Sequence, residues 1–174
     1  LTFRTGEEDS LKVGYAKVMT GSGVDGNAVY VVADTPSGIV TAEAGVPSTR
    51  PLDSFSFFAD SIDTANTGLV IVNPPEEGVS GGDASVTLRL YDTEFQLINT
   101  RTLTLGPGEH VAKYFNEIFL DVAGAAEMEG VVTGEASRPV ATAVIRQNAD
   151  PSRSFPDYVS TLTIFPVIPG RADQ

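Results

Sequence analysis

The sequence predicts an all-β protein, an antiparallel β-sandwich with one short helix. Three observations support this class. Apolar residues alternate with polar ones along most of the chain, Gly, Pro, Asn and Asp stand at nearly every junction, and a single segment has helical spacing. About ten short strands separated by turn signals favour a sandwich over alternating β-α-β units.

The strands are taken in chain order from this alternation. The predicted strands cover residues 11–19, 27–33, 38–44, 54–59, 68–73, 84–91, 95–105, 130–133, 140–146 and 158–165. The clearest is 84–91, where Ala84, Val86, Leu88 and Leu90 share one face and the residues between them are polar. Similar alternation places Phe55 and Phe57 on one buried face.

Residues 84–105 predict a β-hairpin. A polar break at 92–94 separates two alternating runs, and Gly106-Pro107-Gly108 ends the second run. Because both runs show one apolar face, Leu88→Ala and Leu103→Ala are each expected to cost about 2–5 kcal/mol of stability.

The helical segment is residues 113–120. Its apolar side chains Tyr114, Phe115, Ile118 and Phe119 fall at i, i+1, i+4 and i+5, which suits two turns of helix. We expect this helix to cover one open end of the sandwich.

The chain also shows a weak internal repeat. An offset of 116 residues aligns residues 28–29 with 144–145 and Asp34 with Asp150. The alternative is that any two β-hairpins resemble each other. The repeat predicts a partial unit over residues 1–47, a complete sandwich over residues 48–168 and a tail over residues 169–174.

Composition argues against several functions. Eleven Lys and Arg against 23 Asp and Glu give a net charge of -12, with no basic cluster of the kind that binds nucleic acid. The chain has no cysteine, one histidine and no apolar run long enough for a membrane helix. Common nucleophile, phosphate-loop and zinc motifs are also missing. We therefore expect no enzyme activity, no cofactor, no metal and no membrane insertion.

A few residues remain as candidates for chemistry. His110 could act as a base or a metal ligand, but a turn residue is the simpler interpretation. The acidic loops Glu7-Glu8-Asp9, 60–63 and Glu76-Glu77 offer oxygen donors for Ca²⁺, yet none has the spacing of a calcium loop, and solvated loops are the favoured interpretation. Tyr30, Tyr91 and Tyr158 could present rings to a glycan.

The turns and core positions also resemble a known type of repeat. The strings that carry the resemblance are Glu43-Ala44-Gly45-Val46-Pro47, Leu52-Asp53-Ser54-Phe55, residues 67–74, Leu90-Tyr91-Asp92, residues 100–105, Pro107-Gly108-Glu109-His110, Pro139-Val140-Ala141 and Arg146-Gln147. They are similar to tandem immunoglobulin-like β-sandwich repeats of uncharacterised function in large secreted or surface bacterial proteins, notably of acidobacteria. The resemblance implies a structural module, and it carries no catalytic or binding residue. This chain departs from the pattern in the longer loops 76–83 and 151–157.

The function expected from the sequence is a non-enzymatic extracellular structural or adhesion module of a bacterial surface protein. If residues 1–47 are only part of a sandwich, they expose strand edges that can pair with neighbouring copies, so that strand exchange gives dimers or filaments. The alternative is a module that binds a glycan or protein ligand through its rim loops.

Overall fold

The computed structural model describes residues 15–18, 26–33, 38, 40–75, 81–122, 124, 127–148, 161–165 and 167–170. These residues form an all-β sandwich with one helical turn. The elements are β1 (Asn27–Ala33), β2 (Val40–Pro47), β3 (Leu52–Asp60), β4 (Ala65–Val72), β5 (Ala84–Tyr91), β6 (Leu97–Leu105), β7 (His110–Tyr114), α1 (Phe115–Ile118), β8 (Glu129–Asn148), β9 (Thr161–Phe165) and β10 (Ile168–Pro169).

Strand β8 belongs to both sheets of the sandwich. Its first half pairs with β3 and β5, and its second half pairs with β4 and β9. Sheet I therefore has the order β10-β3-β8-β5-β6, and sheet II has the order β9-β8-β4-β7. All of these pairs are antiparallel.

The sequence predicted two strands, 130–133 and 140–146, where the structure has the single strand β8 of 20 residues. Pro139 stands between the part of β8 that pairs with β5 and the part that pairs with β4. Proline has no N–H to give to a ladder, so it is tolerated at this point of transition. A proline that reads as a strand break thus marks a change of sheet.

One apolar cluster fills the space between the sheets. Its buried members are Phe55, Phe57, Ala59, Leu69, Ile71, Ala84, Val86, Leu88, Leu90, Leu105, Phe115, Phe119, Val132, Val140 and Val144. Both sheets contribute to this cluster, as a sandwich requires. The four inward residues of β5 are each 0% exposed, and Phe55 and Phe57 are buried, which confirms the predicted faces.

Close packing at the centre of sheet I requires a glycine. A Cβ placed on Gly134 of β8 would lie 2.2 Å from the ring of Phe55. The Phe55 ring therefore lies directly over the β8 backbone, and residue 134 has no room for a side chain larger than hydrogen.

The predicted helix over residues 113–120 was too long. Lys113 and Tyr114 pair with β4 as the end of β7, and only one turn of helix follows. The carboxylate of Glu117 accepts the N–H of Tyr114 at 2.7 Å, which starts this turn. Phe115 and Phe119 nevertheless enter the core, with ring centroids 5.3 Å apart.

The leading residues form a separate hairpin. β1 pairs with β2, and β2 contacts β9 of sheet II. Residues 15–18 of the predicted strand 11–19 are not in a strand. The division at residues 47 and 168, the internal repeat and the immunoglobulin-like character of the sandwich stay predictions. Within the described ranges, no helix has the length and apolarity needed to cross a membrane.

Candidate interaction edge

The single histidine occupies a structural position. His110 begins β7, is half-buried, and meets the ring of Tyr15 edge-on at 6.0 Å. The Tyr15 hydroxyl donates to the carbonyl of Gly108 at 3.2 Å, so the two rings help to hold residues 15–18 against the turn. Among the described residues, no group of three or more His, Asp or Glu side chains could hold a metal ion.

The acidic loop 60–63 divides into a buried part and an exposed part. The side chain of Asp60 is buried and accepts a hydrogen bond from Arg146 Nε at 2.7 Å and another from the N–H of Ile62 at 2.9 Å. The solvated-loop interpretation therefore fits Asp63, which is exposed, but was wrong for Asp60. The Asp60 carboxylate joins β3 of sheet I to β8 in sheet II.

Of the tyrosines whose side chains the structure describes, Tyr91 and Tyr114 lie on different sheets. Tyr91 is half-buried on β5 of sheet I, whereas Tyr114 lies at the end of β7 in sheet II. The side chains of Tyr30 and Tyr158 lie outside the described residues, as do the acidic positions Glu7-Glu8-Asp9 and Glu76-Glu77 and the loop 151–157.

The two outer strands of sheet I differ in length and composition. β10 has two residues, Ile168 and Pro169, and proline cannot donate a ladder hydrogen bond. β6 has nine residues and no proline, and within the described part of the chain it pairs only with β5. Short length and proline are two of the devices that keep sheet edges from pairing with other chains, and β6 has neither.

The outer strands of sheet II are protected in other ways. β7 has five residues, carries the exposed Lys113, and has Tyr15 against its first residue. β9 is contacted by the leading hairpin through β2. Among the outer strands of sheets I and II, β6 thus stands out as a long edge without such protection.

β6 carries little charge. Its one charged residue, Arg101, forms an ion pair with Asp121 of the same chain. Leu97 and Ile98, at the start of the strand, are 55% and 41% exposed. A long, nearly uncharged edge with exposed apolar side chains is a favourable template for pairing with another strand.

A rigid turn precedes this edge. Asp92 Oδ1 accepts the N–H groups of Glu94 at 2.9 Å and Gln96 at 2.8 Å. These bonds hold Phe95 with a φ of 60°, in the left-handed region that bulky residues rarely adopt. The Phe95 side chain is 72% exposed, so the turn presents an aromatic ring to solvent beside Leu97 and Ile98.

The face of sheet I that points away from the core, here called the outer face, has one apolar row beside this turn. The strand registers place Phe58, Val131, Tyr91 and Leu97 side by side on β3, β8, β5 and β6. Farther along the strands the rows are polar. They are Ser56-Thr133-Arg89-Thr100 and Ser54-Glu135-Thr87-Thr102. The exposed apolar groups therefore concentrate at one end of the β6 edge.

Sequence analysis placed the open edges in residues 1–47, and that interpretation stays a prediction. It did not single out β6, because strand alternation shows which side chains face the core but not which strand is outermost. The signals that were available are the lack of proline and the single charge between Leu97 and Leu105.

Comparisons with known proteins leave the family open. No protein-family model matches the chain, and no curated protein matches it. Among solved structures, the crystal structure of Thermotoga maritima 1070 is similar with a TM-score of 0.42 and 11% sequence identity, covering 67% of this chain and 94% of that chain. A likeness of this size assigns no function.

Proposed function

We propose that this chain is a non-enzymatic structural or adhesion module that assembles with neighbouring copies through the β6 edge. The observation that carries the proposal is a nine-residue outer strand without proline, whose one charge is satisfied within its own chain. The backbone N–H and C=O groups on the outer side of such a strand can complete their hydrogen bonds with a second chain.

The polar side chains singled out in the sequence support a structural role. Asp60 is engaged by Arg146, and His110 contacts Tyr15. These contacts connect elements of the fold to one another. The proposal includes the extracellular or cell-surface location expected from the sequence.

The test is the molar mass in solution, measured by light scattering on size-exclusion fractions at several protein concentrations. We expect the wild-type mass to rise from 18.3 kDa towards twice that value as concentration increases. Ile98→Lys should keep the protein at the monomer mass, because a charge at the β6 edge would have to be buried on pairing.

Ile168→Lys is the matched control. It makes the same substitution at an exposed isoleucine on β10, the opposite edge of sheet I. We expect this variant to associate like the wild type. A wild type that stays at 18.3 kDa at every concentration would contradict assembly through β6 and would favour a spacer or a ligand-binding module that uses its rim loops. Equal loss of association in both variants would show that the β6 edge has no special role.

A further inference from the structure

We propose that β6 pairs antiparallel with β6 of a second copy, so that Thr100 lies directly opposite Thr100 of that copy. The two-fold axis then passes midway between these two residues, and we call this an axis at Thr100. This inference rests on the proposed function and names the partner and the register of the same edge. β6 is regular from Asn99 to Leu105 and has a bulge before Asn99, where Leu97 pairs with Tyr91. In the regular part, directly opposed residues of two identical antiparallel strands share a face, so the two-fold axis must pass midway between the two copies of one residue. The choice is therefore among a few residues of β6.

An axis at Arg101, the middle residue of β6, is disfavoured by charge. It would place Arg101 directly opposite Arg101 of the second copy, and like charges in directly opposed positions destabilise a strand pair. This register gives the two strands their greatest overlap, but it places the two Arg101 side chains against each other at the centre of the pair.

An axis at Thr102 is disfavoured by the apolar groups. It would set Ile98 and Leu97 opposite Gly106 and Pro107 of the second copy, beyond the end of the partner strand at Leu105. The exposed start of β6 would gain little cover, and Arg101 would stand opposite a leucine. Pairing in this register therefore leaves the most apolar part of the edge in water.

An axis at Thr100 avoids both problems. Thr100 then faces Thr100 of the second copy, and each Asn99 faces Arg101 of the other copy. Facing threonines are a favourable cross-strand pair. The amide of Asn99 is a neutral neighbour for Arg101, whose buried Nε has no acceptor in the described part of the chain. The exposed start of β6, before Asn99, then lies beside the end of the partner's β6, after Arg101.

This pairing leaves no free β6 edge for a third copy. Each copy has one β6, and the two-fold axis uses both, so sheet I of two copies becomes one continuous ten-stranded sheet that ends in β10 on each side. The short, proline-containing β10 does not extend it. The expected product is therefore a dimer, and this edge does not build filaments.

Single cysteines can measure the register, because the chain has none of its own. Thr100 and Thr102 are both exposed, so their substitution leaves the core intact. Directly opposed residues have Cα atoms about 4.5–5.5 Å apart, within the range of a disulfide. With the axis at Thr100, two cysteines at 102 would be offset by four residues, roughly 13 Å along the strands, which a disulfide cannot span.

We expect Thr100→Cys to form a disulfide-linked species of twice 18.3 kDa under mild oxidation, seen on a non-reducing gel, whereas Thr102→Cys and Arg101→Cys stay at the monomer mass on that gel. Val18→Cys, at a residue that is 81% exposed, measures disulfides formed by chance collision. Thermal unfolding of each reduced variant checks that it folds.

The outcomes separate the two proposals. A protein that dimerises by light scattering and crosslinks through Thr102→Cys or Arg101→Cys, but not through Thr100→Cys, overturns the register and keeps the β6 edge. A dimer in which none of these three cysteines crosslinks above the Val18→Cys level overturns the register, and it overturns the β6 edge as well if Ile98→Lys associates like the wild type. A wild type that is monomeric at every concentration also overturns both.

Discussion

Strands β5 and β6 form one hairpin and occupy different places in sheet I. β5 pairs with β6 on one side and β8 on the other, and its four inward residues are 0% exposed. β6 pairs with β5, and its inward residues are half-buried until Leu105 at its end. Leu88 at the centre of β5 stands directly opposite Arg101.

The difference follows from the number of neighbours, not from the sequence pattern. A central strand is covered on both sides by other strands, so its inward face is removed from water completely. An outer strand loses cover on one side, and a charged side chain can then lie on its inward face and still reach solvent. The strand that contributes less to the core is the one that can contribute to an interface.

The largest expected effect is a difference between two leucine substitutions. Leu88→Ala removes a fully buried side chain and is expected to cost about 2–5 kcal/mol. Leu103→Ala, on the neighbouring strand, removes a half-buried one and is expected to cost about 1–2 kcal/mol. The sequence predicted equal costs. Urea unfolding of both monomeric variants measures the difference, and equal losses would mean that β6 is as well covered as β5.

The next effect extends the comparison to charged groups. Asp60→Asn breaks the buried end of the ion pair with Arg146, whose side chain is 30% exposed, and is expected to cost about 1–3 kcal/mol. Asp121→Asn breaks the pair with Arg101 on β6, where both side chains reach solvent. Exposed pairs contribute about 0–1 kcal/mol, so this variant should unfold close to the wild type. A larger loss from Asp121→Asn in the same urea titration would contradict this order.

The strands could be predicted from sequence where side-chain alternation is strong. β1 and β5 were placed at their observed bounds, and the buried face of β5 was correct in every residue. Alternation reports the two faces of a strand, which depend on local spacing. The alternation in β6 predicted its two faces as it did for β5, but it did not show that β6 is the outer strand.

The remaining features depend on contacts between distant residues. Whether residues 129–148 form one strand or two is decided by the pairings with β3, β4, β5 and β9. The start of β7 at His110 depends on its pairing with Val72, and the burial of Asp60 depends on Arg146. The candidate edge was missed for the same reason, since being outermost is a property of the sheet.

A third prediction concerns salt. Each copy carries a net charge of -12, so two copies repel each other at low ionic strength. β6 pairing relies on backbone hydrogen bonds and apolar contact, which salt screens little. Raising NaCl from about 0.01 M to about 1 M shortens the Debye length from about 30 Å to about 3 Å. Sedimentation equilibrium should therefore show a larger dimer fraction at high salt, with Ile98→Lys monomeric at both. A dimer that dissociates as salt rises would indicate association through complementary charges.

The smallest expected effect is at the turn between the two strands. Phe95 holds a φ of 60°, which glycine adopts without steric cost, and its ring is 72% exposed and adds little to the core. Phe95→Gly should therefore leave the monomer unchanged or stabilise it by up to about 1 kcal/mol. Contact between the Phe95 ring and a second copy would account for an aromatic side chain at this strained and exposed position. The same substitution should then weaken the dimer, and light scattering beside thermal unfolding measures both effects. A less stable monomer with unchanged association would place the role of Phe95 inside its own chain.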